Sequence, residues 1–207
     1  MKKVVIMLLL VAAICVAANT DSVATPRIEA HPQAPEYNEF YWDDGIISGG
    51  WVWYTGGNYW AVQFDDEKTG GNAGHVNQVG ATTVTGWPDG TFQGAYLHLF
   101  SDYGSYPYED LSRDYLGFAT GDVYEWVNVD PPIDLTSGVF YLAWEQFGNY
   151  PATDCMAVDA SAGTHNWTGY EGSWAPDSAY GDFMLRCYWE PAGVTPSTWG
   201  QVKSLYQ

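Results

Sequence analysis

The feature that most constrains the fold of this chain is a series of short runs rich in aromatic and β-branched residues, each ended by turn-forming residues. The segment 123–129, with the sequence VYEWVNV, alternates so that successive side chains fall on opposite faces of an extended strand. The clusters TGGN at 69–72 and WPDG at 87–90 are strong turn signals between such runs. No segment between residues 40 and 190 keeps a helical period over three turns.

Nine segments have the composition of strands, and turn signals fall between them. They are 51–54, 59–64, 75–84, 92–100, 115–119, 123–129, 139–146, 155–159 and 182–189. Short strands that follow one another without helices predict an all-β fold. We expect an antiparallel β-sandwich of the jelly-roll or immunoglobulin-like kind, with a closed β-barrel as the alternative.

The first 18 residues have the order of a signal peptide. Lys2 and Lys3 precede an apolar run that ends at Ala18, and the run is shorter than the ~20 residues that cross a bilayer. Small residues precede Asn19, as a signal-peptidase cut requires. An uncleaved anchor helix and a lipoprotein attached through Cys15 are the alternatives. We therefore expect bacterial export to the cell surface or medium, with no membrane insertion of the mature chain.

The remainder divides into three parts by composition. Residues 19–39 contain three prolines and few apolar side chains, which predicts an extended arm. Residues 40–191 carry the strand pattern and form the predicted sandwich domain. Residues 192–207 form a tail in which Trp199, Val202 and Tyr206 have the spacing of a short helix.

The chain is strongly acidic, and this excludes two classes of partner. It has 7 Lys and Arg against 25 Asp and Glu, a formal charge of −18. Removal of the leader takes Lys2 and Lys3 with it and leaves −20. Nucleic acid and anionic lipid need basic residues that this chain lacks. The expected partners are other extracellular proteins, a second copy of the chain, or polysaccharide.

Two cysteines remain after removal of the leader. Cys155 and Cys187 both lie in strand-like segments, and paired thiols outside the cytosol tend to oxidise to each other. The sequence therefore predicts a disulfide between Cys155 and Cys187, and two buried free thiols are the alternative.

Calcium is the cofactor that the acidic loops suggest. Secreted proteins meet millimolar Ca²⁺, which binds hard oxygen ligands in loops. Asp65, Asp66 and Glu67 form the preferred candidate site, because a turn directly after a strand can bring three carboxylates together. Looser candidates are Asp43 with Asp44, and Glu109 and Asp110 with Asp114. Solvated acids that keep the protein soluble are the alternative for all three clusters.

Several aromatic residues fall outside the predicted strands. Trp87, Tyr103, Tyr106 and Tyr108 lie in loop-like segments, where large rings are harder to explain as core. Exposed rings beside Asp and Asn side chains can hold sugars, and they can also bury in a protein contact. These four residues are therefore candidate ligand-binding residues.

A resemblance rests on several short words of sequence. They are YWDDG at 41–45, GNYWAVQF at 57–64, FYLA at 140–143, GSWAP at 172–176 and GDFMLR at 181–186. Together they resemble β-sandwich accessory domains of secreted and cell-surface bacterial proteins, which often stand beside peptidase domains or before sorting regions. The ending TWGQVKSLY at 198–206 is similar to a Trp-Gly-x-x-Lys tail of exported bacterial proteins. The resemblance implies an exported module without catalytic activity.

No catalytic constellation stands out in the sequence. The four histidines form no His-x-x-x-His or His-Glu-x-x-His pair, and no Gly-x-Ser-x-Gly motif occurs. We expect a secreted, non-catalytic structural or adhesive module that binds surfaces, with self-assembly and cation dependence as further expectations. A carbohydrate-binding module that uses exposed aromatics is the alternative, and a glycan-processing or other hydrolase is the third possibility.

Overall fold

The computed structural model describes residues 28–29, 39–90, 92–118, 120–161, 163–178 and 181–192. This part of the chain forms fourteen β-strands and one single-turn helix, α1 at Asp66–Thr69. The strands are β1 Ile28–Glu29, β2 Glu39–Phe40, β3 Ile46–Ile47, β4 Gly49–Trp51, β5 Tyr59–Phe64, β6 Gly74–Ala81, β7 Ala95–Asp102, β8 Pro107–Leu116, β9 Glu125–Leu135, β10 Phe140–Gln146, β11 Met156–Val158, β12 Asn166–Tyr170, β13 Ser173–Pro176 and β14 Leu185–Pro191.

Ten of these strands form two antiparallel sheets. The larger sheet has the order β13-β12-β5-β10-β7-β8, and the smaller has the order β2-β14-β6-β9. The short pairs β1–β3 and β4–β11 are separate from both. The two sheets do not close on each other in the described residues, so the predicted β-sandwich is confirmed and the alternative of a closed barrel is wrong.

The core lies between the two sheets and follows from the two-residue alternation of their strands. Inward residues of the larger sheet include Trp60, Val62, Leu97, Leu142 and Trp144, all at most 3% exposed. They pack in one hydrophobic cluster with inward residues of the smaller sheet: Val76, Val79, Leu185, Cys187 and Trp189. Burial of these side chains is the main source of stability of the sandwich.

Strand boundaries match the sequence-based expectations best where one face is fully apolar. The segment 59–64 is a strand over its whole predicted length. Strand β8 was predicted only at its end, and β12 and β13 were not predicted. The helix α1 was also unexpected: the Asp65 side chain accepts a hydrogen bond from the Glu67 amide, and Gly70 ends the turn at φ 66°.

The predicted disulfide is wrong in this structure. Cys155 and Cys187 are free and fully buried. Cys187 belongs to the main core, whereas Cys155 belongs to a smaller cluster with Ile47, Val84 and Met184. Burial raises the pKa of Cys155 to about 12 and also raises that of Cys187, so both thiols lack the thiolate that oxidation needs.

Three predicted parts of the chain lie outside the described residues or touch them only slightly. They are the signal peptide 1–18, most of the arm 19–39, and the tail beyond residue 192. Among the described residues, no helix has the length and hydrophobicity to span a membrane.

Candidate functional site

The outer face of the larger sheet carries aromatic side chains where a solvated face is normally polar. Tyr59 and Ala61 of β5 alternate with core residues and therefore face outward, as do Tyr141 and Ala143 of β10. These residues form a separate apolar cluster with Phe100, Trp167 and Trp174. The outer face of this sheet is thus the feature of the molecule that calls for a functional explanation.

The centre of this face is closed by the indole of Trp174. A Cβ atom at Gly169 would lie 2.9 Å from the Trp174 ring, so only glycine fits beneath it. From there the indole reaches across the sheet to Tyr59 and Phe100, with ring centroids 5.4 Å from each. The accessible part of the face therefore lies toward its β8 edge.

At that edge, the guanidinium of Arg113 lies flat across strand β7. Its central carbon is 3.7 Å from the centroid of the Tyr96 ring. Arg113 Nη2 donates to Glu145 Oε2 at 2.9 Å, and Nε donates to the same oxygen at 3.2 Å. The hydrogen bond to Glu145 raises the pKa of Arg113, so the guanidinium stays charged. Residues of three adjacent strands are joined in this way, since Tyr96 pairs with Glu145 on one side.

Two exposed rings stand beside this stack. Tyr115 and Phe147 are each 53% exposed, and their centroids lie 5.5 Å and 5.9 Å from that of Tyr96. The Tyr115 hydroxyl donates to the Gln93 carbonyl at 2.7 Å, which fixes its ring. We call Tyr96, Arg113, Tyr115, Glu145 and Phe147 the Arg113 platform.

The platform also offers unused polar atoms. Glu145 Oε1 and Arg113 Nη1 have no hydrogen-bond partner among the described residues, and the Arg113 side chain is 51% exposed. One acceptor and one donor therefore lie beside a group of planar rings, a combination that can fix the orientation of a small polar ligand.

A buried histidine supports the platform from below. His98 is 2% exposed, its Nε2 lies 3.0 Å from Glu145 Oε2, and its Nδ1 lies 2.9 Å from Asp110 Oδ2. His98 thus ties β7 to β8 and to β10, and it holds Glu145 against Arg113.

The carboxylate and ring contacts also limit access to the His98 ring. Both nitrogens of His98 are occupied and the ring is shielded by Tyr59 and Phe100. Asp110 Oδ2 and Glu145 Oε2 contact the ring, whereas Glu145 Oε1 remains without a hydrogen-bond partner among the described residues.

The structure brings together three of the four predicted ligand-binding aromatics. Tyr103, Tyr106 and Tyr108 meet at the tip of the β7–β8 hairpin, and Tyr108 lies in strand β8 rather than in a loop. Trp87 is 39% exposed but lies in the connection that enters β7 at its other end. Its role as a ligand-binding residue stays a prediction.

The predicted calcium ligands have structural roles in helix α1. Asp65 caps the helix, its Oδ2 lies 3.6 Å from His165 Nε2, and Asp66 and Glu67 form the first turn. Within the residues that the structure describes, no three His, Cys, Asp or Glu side chains have the arrangement of a metal site. Calcium binding at Asp65, Asp66 and Glu67 therefore stays a prediction from sequence.

A second group of acids lies at the ends of β11 and β14. Ser161 Oγ is 2.6 Å from Asp159 Oδ1 and 2.9 Å from Asp182 Oδ2. Burial raises the pKa of Asp182, and the charges of Asp159 and Asp43 act in the same direction. Both Asp159 oxygens accept backbone N–H groups, whereas Asp182 Oδ1 is buried without a hydrogen-bond partner among the described residues.

Sequence patterns missed Arg113 and Glu145, and they named Asp110 only as a loose calcium candidate. Asp110 and Glu145 come from strands on either side of β7, and the sequence separation of His98 from Glu145 is 47. The signal that could have found Arg113 is the rarity of basic residues, because only three of the seven Lys and Arg residues fall between residues 39 and 192.

Comparison with known proteins adds no family assignment, because no protein-family model, curated protein or solved structure matches the chain.

Proposed function

We propose that this chain is an exported, non-catalytic module that adheres to surfaces by binding neutral carbohydrate at the Arg113 platform. The observation that carries the proposal is the half-exposed guanidinium of Arg113 over the Tyr96 ring, which also contacts the half-exposed rings of Tyr115 and Phe147. Planar rings offer apolar faces to the C–H groups of a sugar, while Glu145 Oε1 and Arg113 Nη1 offer hydrogen bonds to its hydroxyls.

The preference for a neutral ligand follows from charge. Between residues 39 and 192 the chain has 22 Asp and Glu and three Lys and Arg. The one guanidinium at the platform is already paired with Glu145. An anionic polysaccharide would meet net repulsion over the whole surface, whereas a neutral one would not.

Export and the accessory role belong to the same proposal. The leader-like first 18 residues support export, and the short sequence words that resemble accessory domains of bacterial surface proteins support a non-catalytic role. A module of this kind would hold a cell or a neighbouring enzyme on a glycan surface.

A pull-down with insoluble polysaccharides tests the proposal. Cellulose, chitin and starch serve as neutral probes and alginate beads as the anionic one. We expect binding to at least one neutral probe and none to alginate. Tyr115→Ala and Phe147→Ala should each weaken binding about ten-fold, since each removes one stacking face.

Two further variants distinguish specific binding at the platform from non-specific binding by exposed aromatic residues. Arg113→Lys keeps the charge but loses the planar stack on Tyr96, so it should bind as weakly as Arg113→Ala. Tyr103→Ala, at the far end of the same hairpin, removes an equally exposed ring and should bind like the wild type. Binding to no neutral probe, or equal losses for Tyr103→Ala and Tyr115→Ala, would overturn the proposal.

A further inference from the structure

The tip of the β7–β8 hairpin presents a cluster of tyrosines that the platform does not use. Tyr103 is 62% exposed, Tyr106 is 39% and Tyr108 is 61%. The rings contact one another, with the centroid of Tyr103 4.9 Å from that of Tyr108 and 6.0 Å from that of Tyr106. We call these three residues the tyrosine tip.

The backbone holds the tip in a defined shape. Gly104 and Ser105 have φ values of 65° and 73°, and Tyr103 N donates to the Tyr106 carbonyl at 3.1 Å. Positive φ at both central residues is the pattern of a tight type I′ hairpin turn. The rings are therefore presented by a fixed turn, and a ligand would not have to order a loose loop in order to bind there.

The rest of the chain shows how this protein satisfies cationic side chains. Arg113 lies on Tyr96, Arg186 lies 4.1 Å from Tyr124 and 4.5 Å from Tyr41, and Lys68 lies 4.1 Å from a Trp42 ring. Each Lys and Arg between residues 39 and 192 thus has its charge on an aromatic face. Both arginines also bond to carboxylates.

The tyrosine tip likewise combines aromatic rings with nearby acidic residues, and the neighbouring cations of the chain are used elsewhere. Glu109 follows Tyr108 and is exposed, whereas the other two acids near the tip, Asp102 and Asp110, also contact Tyr141 and His98. No lysine or arginine occurs between Lys68 and Arg113, and Arg113 is engaged at the platform. Among the described residues, no cation lies over any of the three tip rings.

We infer that the tyrosine tip binds Lys and Arg side chains of a basic polypeptide. Aromatic faces attract ammonium and guanidinium groups, and the surrounding negative charge steers such a partner to the surface. A short basic segment fits the tip better than a sugar does, because the exposed rings of the tip lie near acidic residues. At the platform, by contrast, the rings lie beside groups that can hydrogen-bond to sugar hydroxyls. This inference does not depend on carbohydrate binding.

Titration of the full chain with a nona-arginine peptide tests the inference, with an uncharged peptide of equal length as reference. Tyr103→Ala/Tyr108→Ala should raise Kd about five- to thirty-fold at unchanged net charge, since two ring contacts are lost. Tyr103→Phe/Tyr108→Phe keeps both rings and should bind like the wild type. Tyr115→Ala, an exposed ring at the platform, should leave Kd unchanged.

Several results of these titrations would contradict binding of basic side chains at the tyrosine tip. Equal Kd values for wild type and the double alanine variant would show diffuse electrostatic binding and overturn the inference. Loss in the phenylalanine variant would show that the hydroxyls bind, which contradicts a cation–π site. Thermal unfolding of each variant checks the fold, and if the double variant is unstable, the single variants Tyr103→Ser and Tyr108→Ser should each raise Kd by a smaller factor. Neutral-glycan binding that depends on the tip but not on Tyr115 would also overturn it.

Discussion

Arg113 and Arg186 make the same kinds of contact on opposite sheets, with aromatic rings and carboxylates, but they differ in the number of these contacts and in burial. Arg186 lies between Tyr41 and Tyr124, with Nε 3.1 Å from Asp43 Oδ2 and Nη1 3.0 Å from Glu39 Oε1. Its side chain is 13% exposed, and those of Asp43 and Glu39 are 0% and 5% exposed. Arg113 lies on one ring, with one carboxylate, and is 51% exposed.

The comparison shows how one local arrangement can serve two purposes. At Arg186 all donors face protein groups, so the energy of the contacts goes into holding β2 against β14. Burial alone would lower the pKa of Arg186, but the hydrogen bonds and charges of its neighbours outweigh burial and raise it. At Arg113 part of the same arrangement faces solvent, so it remains available to a ligand.

The largest effect on stability should come from removing Arg186, the buried arginine of the two. Arg186→Ala leaves the carboxylates of Asp43 and Glu39 buried without a counter-charge, which costs about 3–5 kcal/mol in the free energy of unfolding. Arg113→Ala exposes Glu145 to water and should cost less than about 1 kcal/mol. Urea unfolding of both variants measures the difference. Equal losses would show that exposure does not separate the two clusters.

The next largest effect on stability concerns His98, the buried residue that contacts Glu145 beneath the exposed Arg113. His98→Ala removes a buried ring and leaves Glu145 with only Arg113, so we expect a loss of about 2–3 kcal/mol. His75→Ala is the matched control, because His75 also lies 3.0 Å from a glutamate, Glu190, but its side chain is 33% exposed. The control should lose less than about 1 kcal/mol. A small loss for His98→Ala would mean that the platform does not need its buried support.

Titration of Asp182, which lies near the Arg186 partner Asp43, should give a smaller and pH-dependent effect on stability. The Ser161 hydroxyl has one proton but faces both Asp159 and Asp182, so a protonated Asp182 satisfies both contacts. Because burial raises the pKa of Asp182, the folded state binds its proton more tightly than the unfolded state does. Its contribution to stability is therefore lost as pH rises from the ordinary aspartate range through the raised pKa.

Asp182→Asn should remove this pH dependence, since the amide mimics the protonated acid. We expect the melting temperature of the variant to exceed that of the wild type by more at pH 7 than at pH 4. Asp177→Asn, a less buried aspartate near β13, is the control and should show no such divergence. An identical pH profile for Asp182→Asn and the wild type would mean that Asp182 is ionised in the fold.

Sequence patterns predicted the strands that bury one whole face and were least successful toward the two ends of the larger sheet, at β8, β12 and β13. In β5, Trp60, Val62 and Phe64 alternate with outward residues, so strand and face could both be read. Strand β8 lies at an edge and has mostly exposed polar residues, so it lacks an apolar alternation. Strand β9 continues through Pro131 and Pro132, which its edge position permits because the missing N–H groups need no partner there.

The candidate site was beyond sequence reasoning for a related reason. Arg113 and Glu145 come together across β7 because of register, and register depends on pairing between distant segments. The tyrosine tip was easier to find, since Tyr103, Tyr106 and Tyr108 are close in sequence and a two-residue turn joins them. The cysteines show a different error. The two segments that hold them do meet, through a bridge between Val158 and Phe183, but Cys187 lies further along β14 opposite Val79 and belongs to a different hydrophobic cluster from Cys155.

The smallest expected effect concerns calcium at Asp65, Asp66 and Glu67. If these acids bind Ca²⁺ in the folded state only, a free concentration of about five times Kd adds roughly 1 kcal/mol of stability. For a chain of this size that is a rise of about 2–4 °C in melting temperature.

Because Asp65 caps helix α1, changing it would disturb the fold for a second reason. Asp66→Asn/Glu67→Gln leaves the cap in place and should abolish the rise, whereas Asp134→Asn, at an exposed acid of the edge strand β9, should not. NaCl of equal ionic strength gives the part of the rise that comes from charge screening alone. A melting temperature that responds equally to Ca²⁺ and NaCl would assign these carboxylates to the helix cap and to solubility, and would leave Arg113, with its open ring contacts, as the better-supported binding feature of the two.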